Sequence, residues 1–297
     1  AGSRVEVAPF KKDPADFVLW KPSNDEQPGW NSPWGYGRPG WHTECSAMSE
    51  KTLGLPFDIH GGGRDLTFPH HENEIAQSCC SSAGTSDPKS YVNYWMHNGF
   101  VTVNGEKMSK SLGNISLVKD LTEDNHGEVI RLSLLSSHYR QALDWNDKVI
   151  HQAKKLLDKL YKVLSDLKDI KPSEINESSM SIISPLLDDL NTPGLLANLN
   201  KMIKEFKNIS DKDLPEFKSK LLLANELMGI CQEDYLDWFN YDKEGLDTDM
   251  INALILERLD AKKNKNFDKA DSIRQQLLDM NIEIKDTESG TDWTLKV

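Results

Sequence analysis

Residues 57–74 read Phe57-Asp58-Ile59-His60-Gly61-Gly62-Gly63-Arg64-Asp65-Leu66-Thr67-Phe68-Pro69-His70-His71-Glu72-Asn73-Glu74. The first four predict a short buried strand, which the three glycines end. Pro69 suits the first turn of a helix, where its missing N–H is no loss. That helix is expected to continue through His70, Glu74, Ala76 and Gln77. A strand, a glycine turn and a helix in direct succession point to an α/β sheet with helices around it. Strand candidates at 5–7, 17–20 and 95–103 extend the pattern on both sides. Between them 27–40, rich in Pro, Gly and Trp, is expected to form a packed irregular loop.

Further along, the text changes. Val149, Ala153, Leu156, Leu157, Leu160, Leu164 and Leu167 recur at helical spacing with lysines and aspartates between them, and Lys171-Pro172-Ser173 breaks the run. Periodic segments at about 180–190, 193–208, 213–229 and 250–262 predict an antiparallel helix bundle. A helix at about 266–280 leads into alternating runs at 282–286 and 291–295, a hairpin closing a small terminal module. The fold class expected is therefore α/β plus all-α.

All eight histidines lie at or before His151 and 13 of the 18 glycines at or before Gly113, so the chemistry belongs in the first part of the chain. The 297 residues carry 35 basic and 47 acidic side chains, a net charge of −12, which argues against a surface coated in positive charge. It leaves room for a local basic patch that binds nucleic acid. No stretch approaches the roughly 18 apolar residues of a membrane span, and no signal-peptide pattern opens the sequence. Four cysteines, with Cys79 and Cys80 adjacent, do not make a disulfide scaffold; packing is the expected role of that pair.

Three clusters could carry chemistry. His70 and Glu74, four apart on a helix, project from one face, and Cys45 in Gly40-Trp41-His42-Thr43-Glu44-Cys45 could add a thiolate to a zinc site. A surface ion pair would use the same spacing. His71 is expected to pack or cap. The glycines of 61–63 let backbone approach a flat or anionic ligand, though a plain strand–helix turn would also use them. In Gly105-Glu106-Lys107-Met108-Ser109-Lys110-Ser111-Leu112-Gly113-Asn114, two ammonium groups three residues apart can reach neighbouring phosphate oxygens.

The string Lys107-Met108-Ser109-Lys110-Ser111 resembles the second signature of class I aminoacyl-tRNA synthetases. Together with the segments at 37–49, 58–78 and 93–114, and the endings at 264–284 and 290–295, it is similar to the cysteinyl-tRNA synthetases along the whole chain. The resemblance implies a cysteine–tRNA ligase: cysteine and ATP give cysteinyl-adenylate and pyrophosphate, then cysteine passes to tRNA(Cys). It implies one Zn2+ held by Cys45, His70 and Glu74, taking the substrate thiolate. Trp41 and His42 match walls of the amino-acid pocket, with His60 near it. Gly62 and Asp65 match the adenosine-facing segment, and Lys107 and Lys110 the two signature lysines, with Lys110 on the ATP phosphates and Mg2+ accompanying the nucleotide. A cytoplasmic monomer that binds no membrane is expected. Arg258, Lys262, Lys263, Lys265, Lys269 and Arg274 form a basic set that reads either as an RNA contact or as a solvated mixed-charge helix face.

The sequence also departs from that family. The His-x-Gly-His signature and an upstream cysteine that supplies a fourth zinc ligand are absent. The chain is expected to be a C-terminal portion, inactive alone, with the second half of a Rossmann-like catalytic fold. The expected divisions are 1–30, the remainder of a connective insertion; 31–125, the catalytic half with zinc site and lysine loop; 126–170, a stem-contact region; 171–247, a tRNA-binding bundle; and 248–297, an anticodon-binding module. Two other readings remain: a ligase joining cysteine to an amino-sugar, which the bundle disfavours, and a non-catalytic tRNA-binding fragment.

Overall fold

The computed structural model describes residues 11–84, 87–108, 112–241, 248–280, 282–287 and 290–295. The strand candidate at 5–7 and the signature lysine Lys110 lie outside them. The chain divides into two compact units, Ala1–Val101 with Tyr139–Leu143, and Thr102–His138 with Asp144–Val297.

In the first unit, β1 (Trp20–Pro22) pairs antiparallel with β2 (Gly37–Pro39). The loop between them is pinned by Arg38, whose Nη1 donates to Ser23 Oγ at 2.9 Å and Gln27 Oε1 at 2.8 Å. Its Trp30 and Trp34 are 60% and 76% exposed, so the expectation of a packed loop is corrected: polar bonds hold it. Helix α1 (Trp41–Leu53) starts after Gly40, where a Cβ would collide with the Val18 carbonyl, and stops at Gly54, at φ 77°.

Strand β3 (Phe57–Gly63) runs parallel to β4 (Val92–Asn98), with Phe57 opposite Val92 and Gly63 opposite Asn98. Parallel neighbours need a crossover, and it contains α2 (Glu72–Ser78). Phe68, pushed out of helical space by the proline that follows, is extended at φ −138° and ψ 134°. The helix predicted from Pro69 is therefore preceded by a wide turn, Thr67–His71. The core here is small: Phe57, Cys79, Tyr91 and Val92, with Ile75 and Trp95 packed against it. Cys79 is buried between the Asp87 carbonyl and the Ser90 hydroxyl, while Cys80 is exposed.

In a three-stranded sheet, β5 (Val101–Val103) lies between β6 (Glu106–Lys107) and β7 (Leu143–Trp145). Asn104 and Gly105, at φ 52° and 81°, make the tight turn from β5 to β6. Helices α3 (Val118–Asp124), α4 (Gly127–Leu135) and α5 (Asp147–Asp166) follow. The Asn146 side chain accepts from Val149 N at 3.1 Å, a cap worth about 1 kcal/mol. Where a helix was expected at 180–190, α6 (Glu177–Met180) passes into a tighter turn, Ser181–Leu187, because Pro185 offers no N–H. Helices α7 (Thr192–Glu205), α8 (Leu214–Met228) and α9 (Tyr235–Tyr241) complete the bundle. Leu157, Leu160, Leu195 and Leu199 are fully buried in its core.

The end of the chain has its own core. Ile251 and Ile255 of α10 (Thr248–Lys263) meet Ile273 and Leu277 of α11 (Phe267–Asp279), and Ile282 and Ile284 of β8 (Ile282–Thr287), which pairs with β9 (Gly290–Leu295). No described helix is long and apolar enough to cross a membrane.

A carboxylate clamps this module. Asp286 accepts from Arg258 at 2.8 and 3.1 Å, from Lys262 at 2.7 Å and from the Thr291 hydroxyl at 2.8 Å. The Arg258 bond, then Lys262 and Thr291, hold its carboxyl far below the usual carboxylate range. A depressed folded pKa stabilises the fold above the unfolded value, about 3.9, and the contribution is lost as pH falls below it. The module's unfolding temperature should drop more steeply between about pH 4 and pH 2 in the wild type than in Asp286→Asn, itself less stable at pH 7 because Arg258 is buried. Parallel pH profiles would refute this.

Candidate metal centre and histidine cluster

The ligand-bearing side chains of the first unit converge from three elements. Cys45 comes from α1, His70 from the turn before α2, and Glu74 from the second residue after that helix's first turn begins. One ligand atom from each lies within 4.8 Å of the others, with His70 and Glu74 buried. His60, His71 and Glu74 form a second such group, so Glu74 is common to both.

Glu74 is wholly buried. His70 Nε2 lies 2.5 Å from its Oε1, yet Oε1 accepts no hydrogen bond. Two lone-pair atoms this close, one on a buried carboxylate without a donor, fit a site that closes around a cation. Thiolate, imidazole and carboxylate together are the donor types of zinc. Without an ion, burial first and then Glu74 push the Cys45 thiol up.

Around these atoms lies a ring of neutral imidazoles. Burial first, then neighbouring histidines, lowers His42 and brings His71 down to about 4. Burial also outweighs Glu74 in lowering His60, and with Arg140 and Arg64 lowers His97. Near neutral pH these rings therefore keep lone pairs for hydrogen bonds or metal. His42 Nδ1 is 2.8 Å from His70 Nδ1, and His71 Nδ1 is 2.8 Å from His97 Nε2.

The residues singled out in the sequence fall as follows. Trp41 is 59% exposed and stacks on His70 at 4.3 Å, so it belongs to the cluster's rim and not to a core. His60, on β3, places Nε2 3.3 Å from Glu74 Oε2. Gly62 is where His71 packs: a Cβ would lie 2.7 Å from its Cε1. Asp65 is exposed, in the turn after β3, and opposes the lowering of His71. Lys107 is exposed on β6, in the other unit. In the terminal basic set, Arg258 and Lys262 are spent on Asp286, and Lys269 pairs with Glu257 at 2.8 Å. Lys263, Lys265 and Arg274 stand beside them, with Phe267 62% exposed.

Sequence reading missed Tyr91, Trp95 and His97. The signal was register: parallel pairing sets Trp95 opposite His60 and His97 opposite Gly62, and residues two apart on a strand share a face. Trp95 stacks near His60 at 4.7 Å and near His71 at 4.9 Å. A separate cavity of about 1010 Å3 touches Thr43, Ser46, Ala47 and Glu50, another stripe of α1, and none of the metal-competent groups.

The model of the family described as tRNA synthetases class I (C) catalytic domain matches residues 1–155. The chain is 50% identical over 297 residues to the cysteine–tRNA ligase of Parvibaculum lavamentivorans, covering 99% of this chain and 63% of that protein. It is 50% identical over 294 residues to that of Xanthomonas campestris pv. campestris, again covering 99% and 63%. The Pelagibacter ubique enzyme of the same name is 48% identical over 301 residues. The chain thus spans about 63% of the length of the curated relatives it matches.

Proposed function

The chain belongs to the class I (C) family of tRNA synthetases, and we propose from this that it is the greater part of a cysteine–tRNA ligase. The observation that carries the reading is the convergence of Cys45, His70 and Glu74 around a buried carboxylate oxygen with no donor, in a chain so similar to cysteine–tRNA ligases. The exposed pair Ile59 and Tyr94, opposite each other on β3 and β4, supports further polypeptide packing there, since parallel strands are ordinarily covered on both faces.

In the proposed reaction the cysteine carboxylate attacks the α-phosphorus of ATP, the bond to the β-phosphate breaks, and pyrophosphate leaves. A hydroxyl of the terminal ribose of tRNA(Cys) then attacks the carbonyl carbon and AMP departs. Cys45, His70 and Glu74 would hold Zn2+, which supplies a position for the substrate thiol and refuses serine's less acidic hydroxyl. Trp41 and His42 wall the amino-acid pocket, with His60 behind them. Gly62 and Asp65 face the nucleotide. Lys107 and Lys110 neutralise charge on the departing pyrophosphate, with Mg2+ on its oxygens. The second unit takes tRNA, with Phe267 offering a ring for a base and Lys263, Lys265 and Arg274 meeting phosphates. The protein is proposed to work as a cytoplasmic monomer.

Cysteine-dependent ATP–pyrophosphate exchange and charging of tRNA, measured on a complete enzyme that includes this chain, test this together. Exchange with cysteine and not serine, followed by charging, is expected. Lys110→Ala should slow exchange by about 100-fold or more. Exchange that passes cysteine to an amino-sugar and not to tRNA would overturn the acceptor, and RNA binding without exchange the enzyme.

A further inference from the structure

The two oxygens of Glu74 have different surroundings. Oε2 accepts from the Tyr91 hydroxyl at 3.1 Å and faces His60 Nε2 at 3.3 Å. Oε1, equally buried, accepts no hydrogen bond and faces His70 Nε2. Tyr91 stands immediately before β4 and is fully buried, its ring edge-on to Phe57 at 5.1 Å. The phenol donates its single proton to Glu74. The buried Nδ1 of His60 is without a hydrogen-bond partner.

We propose that Tyr91 occupies Oε2 of Glu74 and so reserves Oε1 for the metal ion, making Glu74 a one-oxygen ligand. The proposal rests on reading Cys45, His70 and Glu74 as the zinc ligands. A carboxylate in a pocket with no other donor can turn to offer a cation both oxygens. A buried donor on one oxygen restrains its rotation and leaves the other's lone pairs for the ion. The consequence concerns specificity. A carboxylate bound through both oxygens competes for the coordination position that a substrate thiol must enter, and one bound through a single oxygen leaves it open. Tyr91 is thus a positioning residue, acting through Glu74.

Tyr91→Phe keeps the ring in the core and removes only the hydroxyl. In the complete enzyme its zinc affinity, measured by chelator competition, should fall about 10- to 100-fold. With Co2+ in place of zinc, its visible absorption should weaken as a four-coordinate ion gains a further oxygen. KM for cysteine should rise while KM for ATP holds, and thermal unfolding of the metal-free protein should stay close to wild type. An unchanged zinc affinity together with an unchanged cobalt spectrum would overturn the proposal while leaving the ligand assignment intact. Zinc retained at full affinity by Glu74→Ala would overturn the ligand assignment, and this inference with it.

Discussion

Cys45→Ser is expected to lower zinc affinity by more than about 100-fold and to abolish cysteine-dependent exchange in parallel. The substitution changes one atom, so the packing of α1 is nearly preserved. What changes is acidity and softness. A serine hydroxyl does not ionise near neutral pH, and a neutral oxygen is a much poorer zinc donor than a thiolate. The neighbours sharpen the effect, because Glu74 is wholly buried and its Oε1 accepts no hydrogen bond. With the ion weakened, that oxygen is left buried beside His70 with no hydrogen bond to take the ion's place. Cys80→Ser is the control: Cys80 is exposed and in neither ligand group, so metal content and exchange should be unchanged. Bound zinc measured by mass spectrometry under native conditions decides the matter. Full occupancy in Cys45→Ser would remove Cys45 from the site.

The pairing of His70 with Glu74 was legible because it is local. His70 and Glu74 are four apart, and the helix period alone puts them on one face; Cys45 entered through its sequence neighbourhood. The surrounding cluster was not legible in this way. Tyr91 meets Glu74 and His97 meets His71 only because β3 and β4 run parallel in one register, 35 residues apart at Phe57 and Val92. No pattern in either strand alone encodes that. The bundle shows the same contrast. The leucine stripe of α5 follows from its spacing, whereas Tyr161, fully buried on that helix, carries a hydroxyl whose burial needs a partner from elsewhere. Its partner is Glu128, 33 positions earlier, and only the fold supplies that bond. The Asn104-Gly105 turn was a local signal overlooked beside the louder lysine string. In the terminal module, composition suggested a basic face; pairing with Asp286 and Glu257 consumes half of it.

Glu128 carries the largest stability effect expected in the second unit. It is 8% exposed, on the first turn of α4. Its Oε2 accepts from the Tyr161 hydroxyl at 3.0 Å and from Cys231 N at 2.8 Å, and its Oε1 from Gln232 N at 2.8 Å. Cys231, at φ 52°, is held in the left-handed region that non-glycine residues avoid, so these bonds also pin an unfavourable backbone. Burial first and then the Glu128 carboxylate push the Cys231 thiol up, keeping it neutral beside the charge. Tyr161 in turn stacks on the buried Trp238 at 4.5 Å, which ties α9 to α5. Glu128→Ala removes the acceptor of the buried Tyr161 phenol and of two part-buried backbone N–H groups, of which that of the exposed Gln232 can turn to water. At about 1–3 kcal/mol for each donor left unsatisfied, less what water and relaxation recover, the loss should be about 2–4 kcal/mol. For a unit of this size that is roughly 10 °C in unfolding temperature. Glu128→Gln retains one acceptor oxygen and turns an amide donor toward another donor, so it should fall between wild type and alanine. A loss below about 1 kcal/mol for Glu128→Ala in urea unfolding would mean that the 231–232 backbone finds other acceptors, and that the carboxylate is not what holds the loop to the bundle.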